Sequence, residues 1–451
     1  MLLVLGALVC AWPATAGAKT MTFRIGPIVL HGYESKLETP LNIPTPGITG
    51  SITYMHARVI DARGGFIPQQ IVMLHHVAFV NDGVHYGDKR QQYCGWHKTE
   101  RFYGTGEEDE SLMLPPGYGY HVRAGDRWHA SWMLMNHRFL TRKVYVEYTV
   151  HITPGWHDTG VTPYWLGVAP CPKDPIFEVP GGGAPGSDYV KRIGWTPPAD
   201  GRIVAVGTHL HGGAKYMDIR EPSCGNRTLV TTQAQYGMPD DPIYHVIPQI
   251  HEPGPRAVSY PMTPTGIPIH KGERLTVRGI YDGELPHSRV MAIMHVYVAP
   301  PAPGGVGPKC GPLPTDIHDV NWDKSYRTDV PKVLIPLTQR DAAGRAEAIS
   351  DLPGPFFAPT TTPTVDIQAT RFSHSKIYLP TPGSAIRYVF KDAVWHDVTT
   401  ANGPTAIGSQ YLKDGASYVQ TFSRPGTYQL YCTLHPVDMH QVIVVGRGAR
   451  M

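Results

Sequence analysis

Tyr431-Cys-Thr-Leu-His-Pro-Val-Asp-Met439 places a thiol, an imidazole and a thioether in one short loop. A second imidazole stands upstream, in Trp395-His-Asp-Val-Thr399. Soft sulfur, two ring nitrogens and a weak axial methionine form the donor set of a blue-copper site, so His396, Cys432, His435 and Met439 read as the ligands of one type 1 copper. The flanking sequence is β-rich. Ala385-Ile-Arg-Tyr-Val-Phe390 precedes His396, and Gln441-Val-Ile-Val-Val445 follows Met439 as a closing strand. A buried thiol beside an unrelated loop histidine is the competing reading, and it leaves the spacing of the four donors unexplained.

The rest of the 451 residues has the same texture, with 48 glycines, 44 prolines and only 17% charged residues. Short alternating apolar runs between frequent turns predict an all-β chain of several domains. A net charge of +3, scattered along the chain, argues against a nucleic-acid partner. Residues 1–18 are apolar and end in Ala16-Gly-Ala18, an A-x-A cleavage pattern that reads as a signal peptide, although a basic start is missing. Pro13 and a length short of about 20 apolar residues weaken the reading as a membrane anchor. No later segment reads as a span, so a secreted or periplasmic protein is expected, in which disulfides are permitted. Besides Cys10 and Cys432, four cysteines remain (Cys94, Cys171, Cys224, Cys310), and they allow three complete pairings.

Strand-like runs fill 51–60, 70–74, 127–135 and 143–150, and a Gly/Pro-rich break follows at 179–186. A second β-rich block reaches Pro300, and 300–308 reads as a boundary. Residues 313–362 lack clean periodicity and read as an extended linker. Within the first two blocks the histidines stand out. His209-Leu-His211 follows a strand pattern, and residues i and i+2 of a strand share a face, so both rings can reach one metal. His75-His76 ends the run 71–74, and adjacent residues can act jointly only at a twisted or bulged strand end. His137 closes another run, Met133-Leu-Met-Asn136.

The C-x2-H-x3-M loop and its flanking strands resemble the cupredoxins, amicyanin and plastocyanin in particular. The order upstream is HH, H about sixty residues later, H-x-H, then a Met-rich strand about eighty residues beyond. Over roughly 22–312 this resembles the ascorbate-dependent copper type II monooxygenases, the family of peptidylglycine α-hydroxylating and dopamine β-monooxygenases. That resemblance implies two tandem jelly-roll β-sandwiches followed by a cupredoxin Greek-key barrel. It implies a signal peptide over 1–18, sandwiches over 19–160 and 161–312, a linker over 313–362 and a cupredoxin domain over 363–451. It also implies one type 2-like copper on His75, His76 and His137, and a second, oxygen-binding copper on the catalytic set His209, His211 and Met291. Met294, three residues on, faces the other side of the strand and is the alternative to Met291. Neither set contains a carboxylate, and thioether ligation suits reduced copper. By the same likeness Cys171 and Cys310 flank the second block as a family disulfide does.

Two positions depart from the family. The peptide-amidating members have an arginine two residues before H-x-H where this chain has Gly207, and a tyrosine four residues after the methionine where it has His295. A neutral or apolar small-molecule substrate is therefore expected in place of a peptide carboxylate. The resulting expectation is a copper monooxygenase that hydroxylates a C–H bond with O2. An external ascorbate-like reductant or redox protein would supply electrons through the tethered blue-copper domain. The alternative is a non-catalytic periplasmic copper-binding or electron-shuttle protein on the same scaffold. A multicopper oxidase or nitrite reductase is a weaker idea, since no H-C-H tripeptide wires the blue copper to a cluster.

Overall fold

The computed structural model describes residues 17–82, 99–169 and 175–446. Residues 1–16 of the expected signal peptide, with Cys10, Cys94 and Cys171, lie outside the described residues. Among the described residues the chain is all-β, as the composition predicts, with two 3-10 turns, Pro222–Cys224 and Pro242–His245. No helix among them is long and apolar enough to cross a membrane.

The long strands Gly50–Asp61 and Arg142–Pro154 largely alternate buried with half-buried side chains, the period of a strand with one face in a core. They lie in a sheet ordered Lys19–Leu30, Arg142–Pro154, Gly50–Asp61, Tyr118–Val122, Thr159–Gly160. A second sheet runs Ser35–Glu38, Trp128–Asn136, Val72–Asn81, Glu100–Gly106. Their shared core holds Phe79, Phe102, Trp128, Trp132 and Tyr148, aromatics that each bury roughly 150–250 Å².

The next two sheets repeat the plan. One runs Thr162–Gly167, Ala292–Ala299, Gly201–Leu210, Pro261–Ile269, His318–Asp319, and the other Asp188–Trp195, Leu275–Asp282, Ala214–Glu221, Arg227–Gln235, Ala257–Val258. Strands distant in sequence are neighbours in both, a Greek-key trait. The pairing of cysteines differs from the one the monooxygenase likeness implies. Cys310 is bonded to Cys224, because the turn Pro222–Cys224 brings the two Cα atoms to 5.3 Å, within bridging reach. The two sheet pairs also share apolar packing: Val204, Tyr260 and Tyr297 of the second enter the core of the first. Tyr260 Oη donates to the Met113 carbonyl at 2.8 Å, and Tyr297 Oη to the Phe102 carbonyl at 3.0 Å.

The C-terminal sheets are Arg371–Phe372, Thr364–Gln368, Ser384–Phe390, Ser417–Phe422 and, against them, Lys376–Leu379, His440–Val445, Gly426–Tyr431, Thr399–Asn402. Their core includes Val365, Tyr388, Phe422 and Ile443, together with Cys432 and Met439. This part of the chain is cupredoxin-like. Residues 313–362, expected to be an extended linker, are pinned along the molecule. The Gln235 amide donates to the Asp323 carbonyl at 2.7 Å, and Arg327 Nε to the Gly237 carbonyl at 2.8 Å. Leu337–Arg340 and Ala346–Ile349 form a hairpin that packs Leu337 and Ile349 with Val442 and Val444. A small apolar cluster joins all three sheet pairs, with Met73 and Met135 from the first, Ile243 and Ile250 from the second and Val437 from the third.

Candidate functional site

The C-terminal donors converge. The ligand atoms of His396, Cys432 and His435 lie within 4.8 Å of one another. Cys432 Sγ is 3.4 Å from His435 Nδ1 and 3.9 Å from His396 Nδ1. Met439 is fully buried beside them, its carbonyl accepting from the Cys432 N–H at 3.1 Å. The other nitrogen of His396, Nε2, meets Asp392 Oδ1 at 3.0 Å, which orients the ring and leaves Nδ1 for the metal. Asp397 N–H donates to Cys432 Sγ at 3.5 Å. Burial, with Asp397 adding to it, pushes the Cys432 thiol well above its usual range. A bound cation reverses that balance, because coordination deprotonates a thiol.

Upstream, the HH pair does not end a run: it lies inside the strand Val72–Asn81, and a bulge falls at it. Leu74 pairs with Leu134 and His76 with Met133, so the register slips at His75. Both rings therefore turn to one side, and their Nδ1 atoms lie 3.1 Å apart. His209 and His211 share their strand face, and their Nε2 atoms are also 3.1 Å apart. His209 Nδ1 lies 3.1 and 3.2 Å from the two oxygens of buried Glu108, and His211 Nδ1 lies 3.0 Å from the Arg289 carbonyl. Those acceptors require a proton on each Nδ1, so in the neutral rings both Nε2 atoms present lone pairs. Two lone pairs facing each other at this distance repel unless a cation lies between them. At a metal–nitrogen distance of about 2.0–2.1 Å, 3.1 Å corresponds to an N–metal–N angle of about 100°, so the pair fits a metal ion.

Four histidines of the two sets, which the monooxygenase likeness implies are separate centres, lie side by side. The His75 ring meets His211 edge-on at 4.6 Å, and His76 lies 6.1 Å from His209. His251 joins them: its Nε2 is 3.1 Å from His75 Nε2 and 3.6 Å from Glu107 Oε1. Sequence reading missed His251 because it lies outside any strand, in a stretch without periodicity. Glu107 and Glu108 carried no signal in the sequence, and both are buried. His137 is buried next to Asn136, outside the His75–Glu107–His251 group, and its ring nitrogens make no well-formed hydrogen bond. Burial, aided by neighbouring imidazoles, holds His76 and His251 down to about 3 and His75 and His211 well below the ordinary range. Neutral imidazole is the form that binds a metal. Burial raises Glu107 to about 8.

Register places the methionines. His209 is opposite Ile293 and Thr208 opposite Met294, while the His211 N–H donates to the Met291 carbonyl at 3.3 Å. Opposed residues share a face. Met291 thus lies on the face of the two histidines and lines their cavity, and Met294 packs into the core behind. His295, opposite Gly207, is on the histidine face too, and burial, with His209 and Arg101 adding to it, holds it down to about 3. Gly207 also has a structural reason. A Cβ there would overlap the carboxylate of Glu110, which accepts from the Thr208 N–H at 2.9 Å. The cluster opens on a cavity of ≈ 1230 Å³ that Trp395, Tyr411 and His435 of the C-terminal sheets also line.

No protein-family model matches the chain, and the expected copper-monooxygenase resemblance over roughly 22–312 rests on motif order. The chain is similar to amicyanin-alpha of Methylorubrum extorquens, with 29% identity over 106 residues, 23% of this chain and 83% of that protein. Among solved structures it matches the reduced form of a tryptophan-to-tyrosine mutant of amicyanin at 27% identity, over 19% of this chain and 84% of the other, with a TM-score of 0.18. It also matches the copper(I) form of a methionine-to-alanine mutant of amicyanin at 26% identity, over the same shares and with the same TM-score of 0.18. The C-terminal sheets and their donors thus define an amicyanin-like cupredoxin domain with a type 1 copper ligand set, His396, Cys432, His435 and Met439. Such a domain serves copper-based electron transfer.

Proposed function

We propose that the chain is an exported copper-dependent monooxygenase that hydroxylates a C–H bond of a neutral or apolar small molecule with O2. Electrons enter from an ascorbate-like reductant or a redox protein through the type 1 site. The observation that carries this reading is the facing pair of Nε2 lone pairs on His209 and His211, each ring locked by its donated Nδ1–H. Copper bound there supplies one-electron chemistry toward O2. Met291, on the same face, adds a thioether that favours the cuprous state. His75, His76 and His137 are the proposed ligands of a second copper, with His251 and Glu107 supplementing them from the second pair of sheets. With Glu110 seated against Gly207, this position offers no cation to grip a substrate carboxylate. The Cys224–Cys310 disulfide and the amicyanin likeness support a secreted or periplasmic location.

Copper-loaded protein with ascorbate, screened against candidate substrates with oxygen uptake and product mass as readouts, tests the proposal. Substrate-dependent uptake with a product heavier by one oxygen is the expected result. Full copper loading with background uptake throughout would replace this reading by the non-catalytic copper-binding and electron-shuttle alternative.

A further inference from the structure

Arg289 touches both metal-ligand sets. Its backbone carbonyl accepts from His211 Nδ1–H at 3.0 Å. Its guanidinium Nε lies 3.5 Å from Asp397 Oδ2, and both side chains are buried. Asp397 in turn donates its N–H to Cys432 Sγ at 3.5 Å, and its Oδ1 accepts from the N–H of Thr433, the residue bonded to Cys432, at 2.7 Å. A continuous chain of bonds and short polar contacts therefore runs from the blue-copper thiolate to an imidazole of the histidine cluster.

The arginine is held in place. Its backbone adopts φ +53°, a left-handed conformation that costs a non-glycine residue free energy and persists only where the surroundings over-determine it. Here the Arg289 N–H is shared by both oxygens of Glu178 at 3.2 Å, the guanidinium lies over the Tyr411 ring at 4.1 Å, and it donates to the Ser409 carbonyl. Burial pushes the Glu178 carboxyl up to about 7, and Arg289 opposes that shift. The cupredoxin domain is thus docked on the second pair of sheets through a buried cation that contacts Asp397, Ser409 and Tyr411.

We infer that the Asp397–Arg289 contact is the coupling route by which single electrons pass from the type 1 copper to the histidine-cluster copper. This rests on the proposed function, which places copper at both sites. In each transfer one electron leaves the type 1 ion, which goes from cuprous to cupric, and reduces one cluster ion from cupric to cuprous. The type 1 ion is then reduced again by the external one-electron donor. Arg289 acts through other groups and is a positioning residue.

The test uses the full copper-loaded chain. A laser flash on a photoexcited ruthenium reductant reduces the blue copper, and recovery of the blue band follows the electron as it leaves. In the wild type the recovery is expected to be independent of protein concentration. Arg289→Met should slow it severalfold, with blue band and copper content unchanged. Arg289→Lys keeps a positive charge beside Asp397, folds more safely and should slow recovery by less. Arg424→Ala removes another contact between these sheets, since Arg424 Nη1 donates to the Gly181 carbonyl at 3.1 Å, and should leave the rate unchanged. Unaltered recovery in both Arg289 variants, or equal slowing by Arg424→Ala, overturns the route while leaving the proposed function standing. A wild-type chain that binds copper only at the type 1 site, counted before the flash, overturns the proposed function and the route with it.

Discussion

Replacing Glu108 probes the tautomer lock on the histidine pair. Both Glu108 oxygens lie within 3.2 Å of His209 Nδ1, and neither side chain is more than 5% exposed. Glu108→Ala removes the acceptor that keeps the proton on Nδ1, so Nε2 is no longer held as a free lone pair facing His211. Loss of such a partner behind a ligating histidine lowers metal affinity about 10–100-fold, or roughly 1.4–2.7 kcal/mol. Glu108→Gln keeps a neutral acceptor, and since charge-assisted hydrogen bonds are roughly twice as strong as neutral ones, it should lose about half that free energy, a factor of about 3–10. The assay is a competition titration with a copper(I) chelator, scoring cluster copper by total metal and type 1 copper by the blue band after reoxidation. The type 1 affinity should not move. An Ala variant with wild-type cluster affinity would falsify the lone-pair argument, because the pair would then bind metal without a fixed tautomer.

Cys432→Ser should abolish the visible thiolate-to-copper band while the cluster retains its copper, as read by absorbance and metal analysis. Met291→Ile should remove sulfur scattering at the reduced cluster copper and impair hydroxylation, whereas Met294→Ile, in the core behind, should cost about 1 kcal/mol of stability and leave the metal unchanged. The reverse pattern in X-ray absorption would refute the strand register. Burial lowers His287, but Glu252 at 2.7 Å and Asp282 at 3.7 Å outweigh it and hold the ring up to about 9. A raised histidine stabilises the fold fully below its unfolded value of about 6.5, and that contribution is lost as pH rises through 9. It amounts to about 3 kcal/mol, so the melting temperature should fall between pH 7 and 10, and His287→Gln should flatten the fall.

The candidate donors that lie within one element were legible from the chain alone. Cys432, His435 and Met439 share a loop, so their spacing is their geometry, and His209 and His211 share a strand face because the side-chain period is two. The same alternation separated Met291 from Met294, and turn-rich composition settled the all-β class. Two other features follow no local period. His251 reaches His75 from a stretch with no repeat, and the burial of Glu107 and Glu108 depends on the second pair of sheets closing over them. Contact between His75 and His211, the Cys224–Cys310 bridge, the pinned course of 313–362 and the Asp397–Arg289 contact join segments far apart in sequence. Period-two alternation states which face of a strand is buried, but not which other surface buries it. That choice depends on the complementary packing of whole sheets, and here it brings four histidines of the two sets side by side and docks the blue-copper domain beside them.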